Sequence, residues 1–514
     1  MKSQAEVWQV IKLHIKKEWR TAFFSTLIIG LLVHMPMLLQ DIPNHDGLDS
    51  MHFDQNMITS GRWFLTVACG ISSYFTLPWL IGLLAILYLA LTSVALVEFL
   101  EIKKASTIVL LSGLLVSFPA LASTFAYVFT MDGYMMALLL AVLSVVLTKK
   151  YKFGFVTGAV CLACSMGIYQ AYLPFAMLLC IYGILMIAME KGSFKEKICR
   201  SLHYLYMGIG GMAGYYIILQ VLLKLQGKEL ASYQGIEGLG TVERTGLVEI
   251  LVKMYTDFLA FTLKGNVLMN NIFSLAAICG LVLVAAVTVV QLVIRKKWWK
   301  RIWLYGLFVL LAVGLPIATN IILIVSPDVT YHILMRYQWV LYPILLVAFV
   351  ERYGGETNRD IWKEWIVLVT AGVLIWNFAV SDNIAYSNIQ KKYEKTYAYC
   401  LRLLDRIEQT EGYYQGIPIA MIGVVGEESY PATDISGKVT SSLLGMNGDV
   451  LLYTGNNYEL FIKHYLGATL NILPAESMAQ MYYSKEYREM GSFPAADSIK
   501  IIDGIMYIKT ENKE

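Results

Sequence analysis

The feature that most limits this chain is a succession of apolar runs, each of a length suited to crossing a bilayer. They fall at roughly 21–39, 78–100, 106–122, 133–148, 153–168, 171–189, 204–224, 272–294, 302–325, 338–350 and 364–381. An α-helix rises about 1.5 Å per residue, so about 20 apolar residues bridge a hydrocarbon layer about 30 Å thick. The runs predict an all-α polytopic membrane protein with about eleven transmembrane helices. The short run 338–350, and the pair parted only by Tyr169 and Gln170, leave about ten or twelve open. Composition agrees. Of 514 residues 57% are hydrophobic and 15% charged, whereas soluble domains run at about 45–50% and about 25%. A net charge of +3 is too small to suggest a nucleic-acid partner.

Charge placement sets the orientation, because Lys and Arg accumulate in cytoplasmic loops. With the N-terminus inside, the cytoplasmic connections hold 22 basic residues and the opposite loops hold 7. Residues 1–20 carry Trp8, Ile11, Ile15 and Trp19 at helical spacing among five basic residues, which reads as a cytoplasmic interfacial helix. No small-residue cleavage site follows the 21–39 run, so it is expected to remain as a spanning helix. Residues 21–381 form the transmembrane domain. Beyond it hydrophobicity drops, and 382–514 reads as an extracytoplasmic soluble α/β domain. It has a helical period at 388–410 and strand-like stretches at 417–425, 450–453 and 500–509. Seven cysteines sit mostly in or beside apolar runs and form no disulfide framework. Cys161 and Cys164 are spaced C-x-x-C, but inside an apolar helix without a second pair, which favours packing over zinc or redox chemistry.

Polar groups gather at the outer face. After the first run the sequence holds Asp41, His45, Asp46, Asp49, His52 and Asp54, then Ser60-Gly61-Arg62-Trp63. A second outer stretch has Tyr127 and Asp132, a third the hinge Gly167-Ile-Tyr169-Gln170, and the last Asp328, Tyr331, His332 and Arg336. Outer loops are polar in any membrane protein, and Asp41 and Asp54 are read as solvated loop groups. Asp132 begins a spanning helix, where a carboxylate also stabilises the helix N-terminus. Arg336 begins another, where interface anchoring accounts for it equally well. Sugar transfer from a lipid phosphate needs little more than these groups. A carboxylate takes the proton of the attacking hydroxyl, and cations stabilise charge on the departing phosphate. Clustered Asp could hold a divalent cation, but no spacing here indicates one, and no cofactor is expected.

The segments Pro43-Asn-His45-Asp46-Gly, Asp54-Gln-Asn-Met, Ser60-Gly-Arg62-Trp63-Phe, Phe118-Pro119, Phe129-Thr-Met-Asp132-Gly and Tyr169-Gln170-Ala resemble the type II Gtr glucosyltransferase family of bacteria, polytopic enzymes related to the GT-C superclass. The resemblance covers roughly 20–380 and is poor in the C-terminal domain. The family pattern has two adjacent acidic residues after the first helix; here His45 stands at the first and Asp46 at the second, and an arginine usual near Asp49 is replaced. The resemblance implies a GT-C-like fold in the bacterial inner membrane. It implies transfer of a hexose, glucose or a similar sugar, from a polyprenyl phosphate such as undecaprenyl phosphate to a cell-surface polysaccharide, an O-antigen, teichoic acid or other wall polymer. The displacement would be single and inverting. Asp46 would be the general base and Asp132 a supporting acid or sugar ligand. His45 and Asp49 would bind substrate, Arg62 and Arg336 would face the phosphate, and Tyr169 and Gln170 would shape the sugar pocket. Expected partners are the lipid-linked sugar, the polysaccharide acceptor and membrane lipid, with a flippase and a polyprenyl-phosphate glycosyltransferase acting upstream. The alternative is a flippase or transporter of lipid-linked sugars or polysaccharide units. Transporters place ionisable groups deep among their helices, and the apolar runs hold no acid near a helix centre.

Overall fold

The computed structural model describes residues 15–43, 45–49, 51–231, 246–298, 302–326, 329–354, 360–422 and 455–510. The proposed interfacial helix at 1–20, the strand at 450–453 and Asp328 fall wholly or mostly outside them. Every apolar run is helical. Long helices form at α1 (Lys17–Leu39), then, after a short α2 (His45–Asp49), at α3 (Pro78–Leu100). Next come α4 (Ala105–Ser117) and α5 (Pro119–Phe125), which are two parts of one run. The residue before a proline is driven from the helical region, and Phe118 accordingly has ψ 127°, with Pro119 opening the next helix. The two parts are bent by 48°.

The bundle continues through α6 (Met131–Lys150), α7 (Gly154–Ile168), α8 (Leu173–Met189) and α9 (Phe194–Gln226). An 18-residue α10 (Leu247–Lys264) precedes α11 (Ile272–Arg295), α12 (Ile302–Thr319) and α13 (Leu341–Gly354). Among the described residues eight helices are long and apolar enough to cross a membrane, or nine with the bent pair taken as one span. The two remaining runs are the shorter apolar helices α7 and α12. Helix α10 is a difference from the expectation of an outer loop. Ile250, Met254, Phe258 and Phe261 recur at helical spacing, and the charges between them kept the stretch from reading as a span.

Ion pairs tie one end of the bundle together. Glu98 meets Lys16 at 2.8 Å and Lys150 at 2.6 Å, Glu101 meets Lys149 at 2.7 Å and Arg352 at 3.1 Å, and Glu190 meets Arg200 at 2.7 Å. Exposed pairs of this kind add little stability, but they fix which helix ends lie together. The 41–75 segment, the hinge at Tyr169 and the C-terminal domain follow from the opposite ends.

The last helix, α14, runs unbroken from Ile361 to Glu408 over 48 residues, so the expected final span and the 388–410 helix are one rod. It leads into a four-stranded sheet ordered β2-β1-β4-β3. Here β1 is Pro418–Ile422, β2 Asn471–Ile472, β3 Ile499–Ile502 and β4 Ile505–Lys509. Strand β1 is parallel to both neighbours, and β3 and β4 form an antiparallel hairpin. The stretch 500–509 is thus two strands, because Asp503 and Gly504 take positive φ (49° and 79°) and turn the chain.

Candidate functional site

Two groups of polar side chains occupy the end of the bundle that carries the C-terminal domain. The first is built around Arg62. A tight turn at Ile58–Ser60 closes on Gly61, whose φ is +75°, and aims Arg62 inward. Arg62 Nη1 donates to the Tyr134 hydroxyl at 3.2 Å, and its guanidinium lies over the Tyr169 ring at 5.2 Å. Tyr134 and Tyr169 are stacked, centroids 4.2 Å apart and 5° from parallel. Gln170 Nε2 donates to the Ser60 carbonyl at 3.3 Å and to the Tyr215 hydroxyl at 2.9 Å. Four separate pieces of chain therefore converge: the 58–62 turn, the start of α6, the hinge between α7 and α8, and α9. The structure brings Arg62, Tyr169 and Gln170 together as one unit. Tyr134 and Tyr215 were not expected in it. Tyr215 did leave a signal, since it is a polar-tipped side chain within a predicted span.

A Cβ at position 61 would stand 2.5 Å from the Tyr215 hydroxyl and 2.6 Å from Gln170 Nε2, in a backbone region that L side chains rarely adopt. Gly61→Ala is expected to lower stability by about 1–3 kcal/mol and to push Gln170 off Ser60. Thermal unfolding of the purified protein checks this; an unchanged midpoint would mean the turn is looser than its geometry.

The second group is the acidic loop. Asp46 and Asp49 are exposed on α2, and Leu48 on the same short helix is 1% exposed within the hydrophobic core of the C-terminal domain. Asn456 Nδ2 donates to Asp49 Oδ1 at 2.9 Å, and the Tyr465 hydroxyl donates to Asp41 Oδ2 at 3.4 Å. Burial pushes the Asp41 carboxyl above the usual range, against the pull of that hydroxyl. Asp41, Gly47, Met51, Ala126, Phe129 and Tyr465 share a small cleft, so the segment after α1, the 126–129 loop and the C-terminal domain meet there. His45 heads α2, but its side chain lies outside the described set.

Asp132 is fully buried at the start of α6 and accepts from the Gly133 N–H at 2.8 Å. Its carboxylate faces Ser72 and Cys69. Residues two apart on a helix face different ways, and Tyr134, not Asp132, is the one that meets Arg62. The helix-start role raised for Asp132 fits the Gly133 contact of one carboxylate oxygen.

Arg336 is 8% exposed and is held by Asp257 of α10, with Nη1 and Nη2 each 2.7 Å from a carboxylate oxygen. Its Nε donates to the Tyr331 carbonyl at 3.1 Å, and its plane lies over the Tyr331 ring at 3.9 Å. The next residue, Tyr337, packs at 6.5 Å against Tyr172 of the hinge that carries Gln170. Below this, α8, α10, α11, α12 and α13 enclose a groove of about 550 Å³ lined almost wholly by apolar side chains, among them Leu281, Ala285, Leu311, Ala312, Leu345 and Phe349. Phe258 and Thr262, the groove's lining on α10, follow Asp257 in sequence and both contact Trp339, three residues after Arg336. Among the described residues no three His, Cys, Asp or Glu side chains gather as metal ligands. The expectation of no acid deep among the helices needs correction: Asp382, one residue past the last apolar run, is fully buried in α14.

Fold and site together describe a polytopic membrane protein with a polar, aromatic-lined site at one end of its bundle and a lipid-like groove among its helices. Over residues 35–350 the chain matches glucosyl transferase GtrII, and it belongs to that family of membrane-associated glucosyltransferases. No curated protein and no solved structure matches it. The matched region holds every expected site residue and stops before the C-terminal domain.

Proposed function

We propose that this glucosyltransferase takes glucose from a polyprenyl phosphate and passes it to a surface polysaccharide on the non-cytoplasmic side, by a single inverting displacement. Asp46 takes the proton of the acceptor hydroxyl as its oxygen attacks the anomeric carbon, and the bond to the lipid phosphate breaks. Arg62, with its charge turned toward the site by Tyr134 and Tyr169, steadies the departing phosphate. Gln170 and Tyr169 border the sugar, and the C-terminal domain meets the acceptor beside α2. A lipid phosphate leaves readily without an added proton, so no general acid is required.

The observation that carries this reading is the groove. A soluble sugar nucleotide gives no reason for an apolar cleft of about 550 Å³ among spanning helices, whereas a polyprenyl chain needs one of that character. The segment from Ile333 to Gly354 links the groove, through Leu341, Leu345 and Phe349, to Tyr337 beside the sugar hinge.

Ala312 is exposed to this groove, so Ala312→Trp would fill it without crowding a packed core. We expect the purified variant to keep its unfolding midpoint, with KM for a long-chain polyprenyl-phosphate glucose raised about tenfold, equivalent to about 1.4 kcal/mol of lost binding. A short-chain donor should show a smaller change. Equal kinetics for parent and variant on the long-chain donor would sink the carrier assignment, and consumption of a nucleotide sugar instead would sink the reaction.

A further inference from the structure

Phe378, Asp382 and Tyr386 lie at successive turns on one face of α14, at 0%, 0% and 2% exposure. Phe378 meets Phe118 edge-on, centroids 5.5 Å apart. The Tyr386 hydroxyl is 2.6 Å from His34 Nδ1, and His34 Nε2 is 2.7 Å from the Val116 carbonyl oxygen. Asp382, one turn from each, therefore faces the break between α4 and α5. Pro119 has no N–H, so the break leaves carbonyl groups of α4 without their usual helical partner. Side chains from elsewhere take two of them. The Tyr337 hydroxyl donates to the Leu115 carbonyl, and His34 donates to that of Val116. Three oxygens remain: Ser117 Oγ and both carboxylate oxygens of Asp382 are buried, and among the described residues no donor reaches them.

A buried carboxylate without a partner is too costly to persist as such. A proton alone is a poor remedy, because it turns one oxygen into a donor and still leaves the other without a partner. A cation engages both oxygens and the hydroxyl together. The Val116 carbonyl fixes the proton on Nε2, and a ring at 0% exposure with only a hydroxyl at Nδ1 and no carboxylate within hydrogen-bond reach is assigned the neutral imidazole, accepting there from Tyr386. Asp382 is then the single charge at the break among the described residues, which balances one positive charge. Oxygen donors select a hard ion. We propose that Asp382 and Ser117, at the α4–α5 break, bind a monovalent hard cation, sodium, which pins the rod carrying the C-terminal domain to the helix pair beneath the 126–129 loop.

The test is thermal unfolding of the purified full chain in detergent, in sodium chloride against choline chloride at equal ionic strength. The parent should gain several degrees in sodium, as any ligand binding only the folded state requires. Asp382→Asn should lose that gain while unfolding in choline no earlier than the parent. Ser117→Ala should need more sodium for the half-maximal gain, and it carries the test if the asparagine variant does not fold. A parent indifferent to sodium overturns the proposal, as does an undiminished response in Asp382→Asn or an unshifted sodium curve in Ser117→Ala. A midpoint that follows pH but not sodium would make the group a proton carrier and overturn it too. None of these readouts requires a sugar donor, so their failure is separable from failure of the transferase reading.

Discussion

Replacing Asp46 by asparagine is expected to lower glucose transfer by about 10²–10⁴-fold, the usual loss when a positioned base is removed, and to leave the protein as stable as before. The stability half follows from where α2 sits. Asp46 is exposed, while Leu48, on the same five-residue helix, is 1% exposed in the core of the C-terminal domain. An amide of the same shape keeps that anchor and the Asp49–Asn456 contact, while removing the carboxylate proposed to take the proton. Asp49→Asn is the matched control. It alters a carboxylate three residues away that the resemblance assigned to substrate but that Asn456 of the C-terminal domain engages; with that contact in place of a substrate contact, its transfer rate should stay within about threefold of the parent, less than about 1 kcal/mol. Incorporation of labelled glucose from polyprenyl-phosphate glucose by membranes holding equal amounts of each variant measures both. Parent-level transfer by Asp46→Asn would remove this carboxylate from the chemistry, and equal losses at 46 and 49 would point to the docking of α2 instead.

The spanning helices could be read from the sequence because the bilayer permits little else. A backbone in hydrocarbon must satisfy its own hydrogen bonds, so a long apolar run has essentially one outcome. The same logic made Phe118-Pro119 and Tyr169-Gln170 visible as interruptions, and both are breaks that position side chains. Helix α10 was hidden because its period is amphipathic rather than uniformly apolar. The continuity of α14 was hidden because the fall in hydrophobicity after 381 marks where the rod leaves the apolar layer, not where it ends. Within the site, Arg62 could be paired with Tyr169 and Gln170 as fellow outer-face groups. The pairing of Arg336 with Asp257 could not, since the two lie 79 residues apart and only the fold brings α10 against the 333–340 turn. Asp382 escaped notice for a similar reason: hydropathy treats a residue at the edge of a run as solvated, whereas the packing of α14 against α1, α4 and α5 buries it. Tyr465 and Asn456 come from a domain whose docking onto α2 no local pattern announces.

Removing Asp257 should be among the most destabilising single changes in the membrane domain. Its carboxylate receives two hydrogen bonds from Arg336 and one from Asn320 Nδ2 at 3.0 Å. Taking away one partner of a buried pair leaves the other charge uncompensated, typically at about 3–5 kcal/mol. The side chain of Arg336 is 9% exposed but that of Asp257 is 25% exposed, so water relieves part of the penalty and we expect Asp257→Ala to fall at the lower end, about 3 kcal/mol. Its thermal unfolding midpoint should drop accordingly, and sugar transfer with it, because α10 supplies the Phe258 and Thr262 wall of the groove. Adding Arg336→Met removes the stranded guanidinium while keeping a long apolar stem over Phe261 and Tyr331. A buried ion pair exchanged for apolar groups is often neutral in stability, so the double variant should recover most of the lost midpoint. Since the charge of Arg336 is already met within the protein, transfer should recover in step with stability. A double variant as stable as the parent yet inactive would mean instead that Arg336 leaves Asp257 to meet the donor phosphate, giving this arginine the phosphate-facing role that the family resemblance implied.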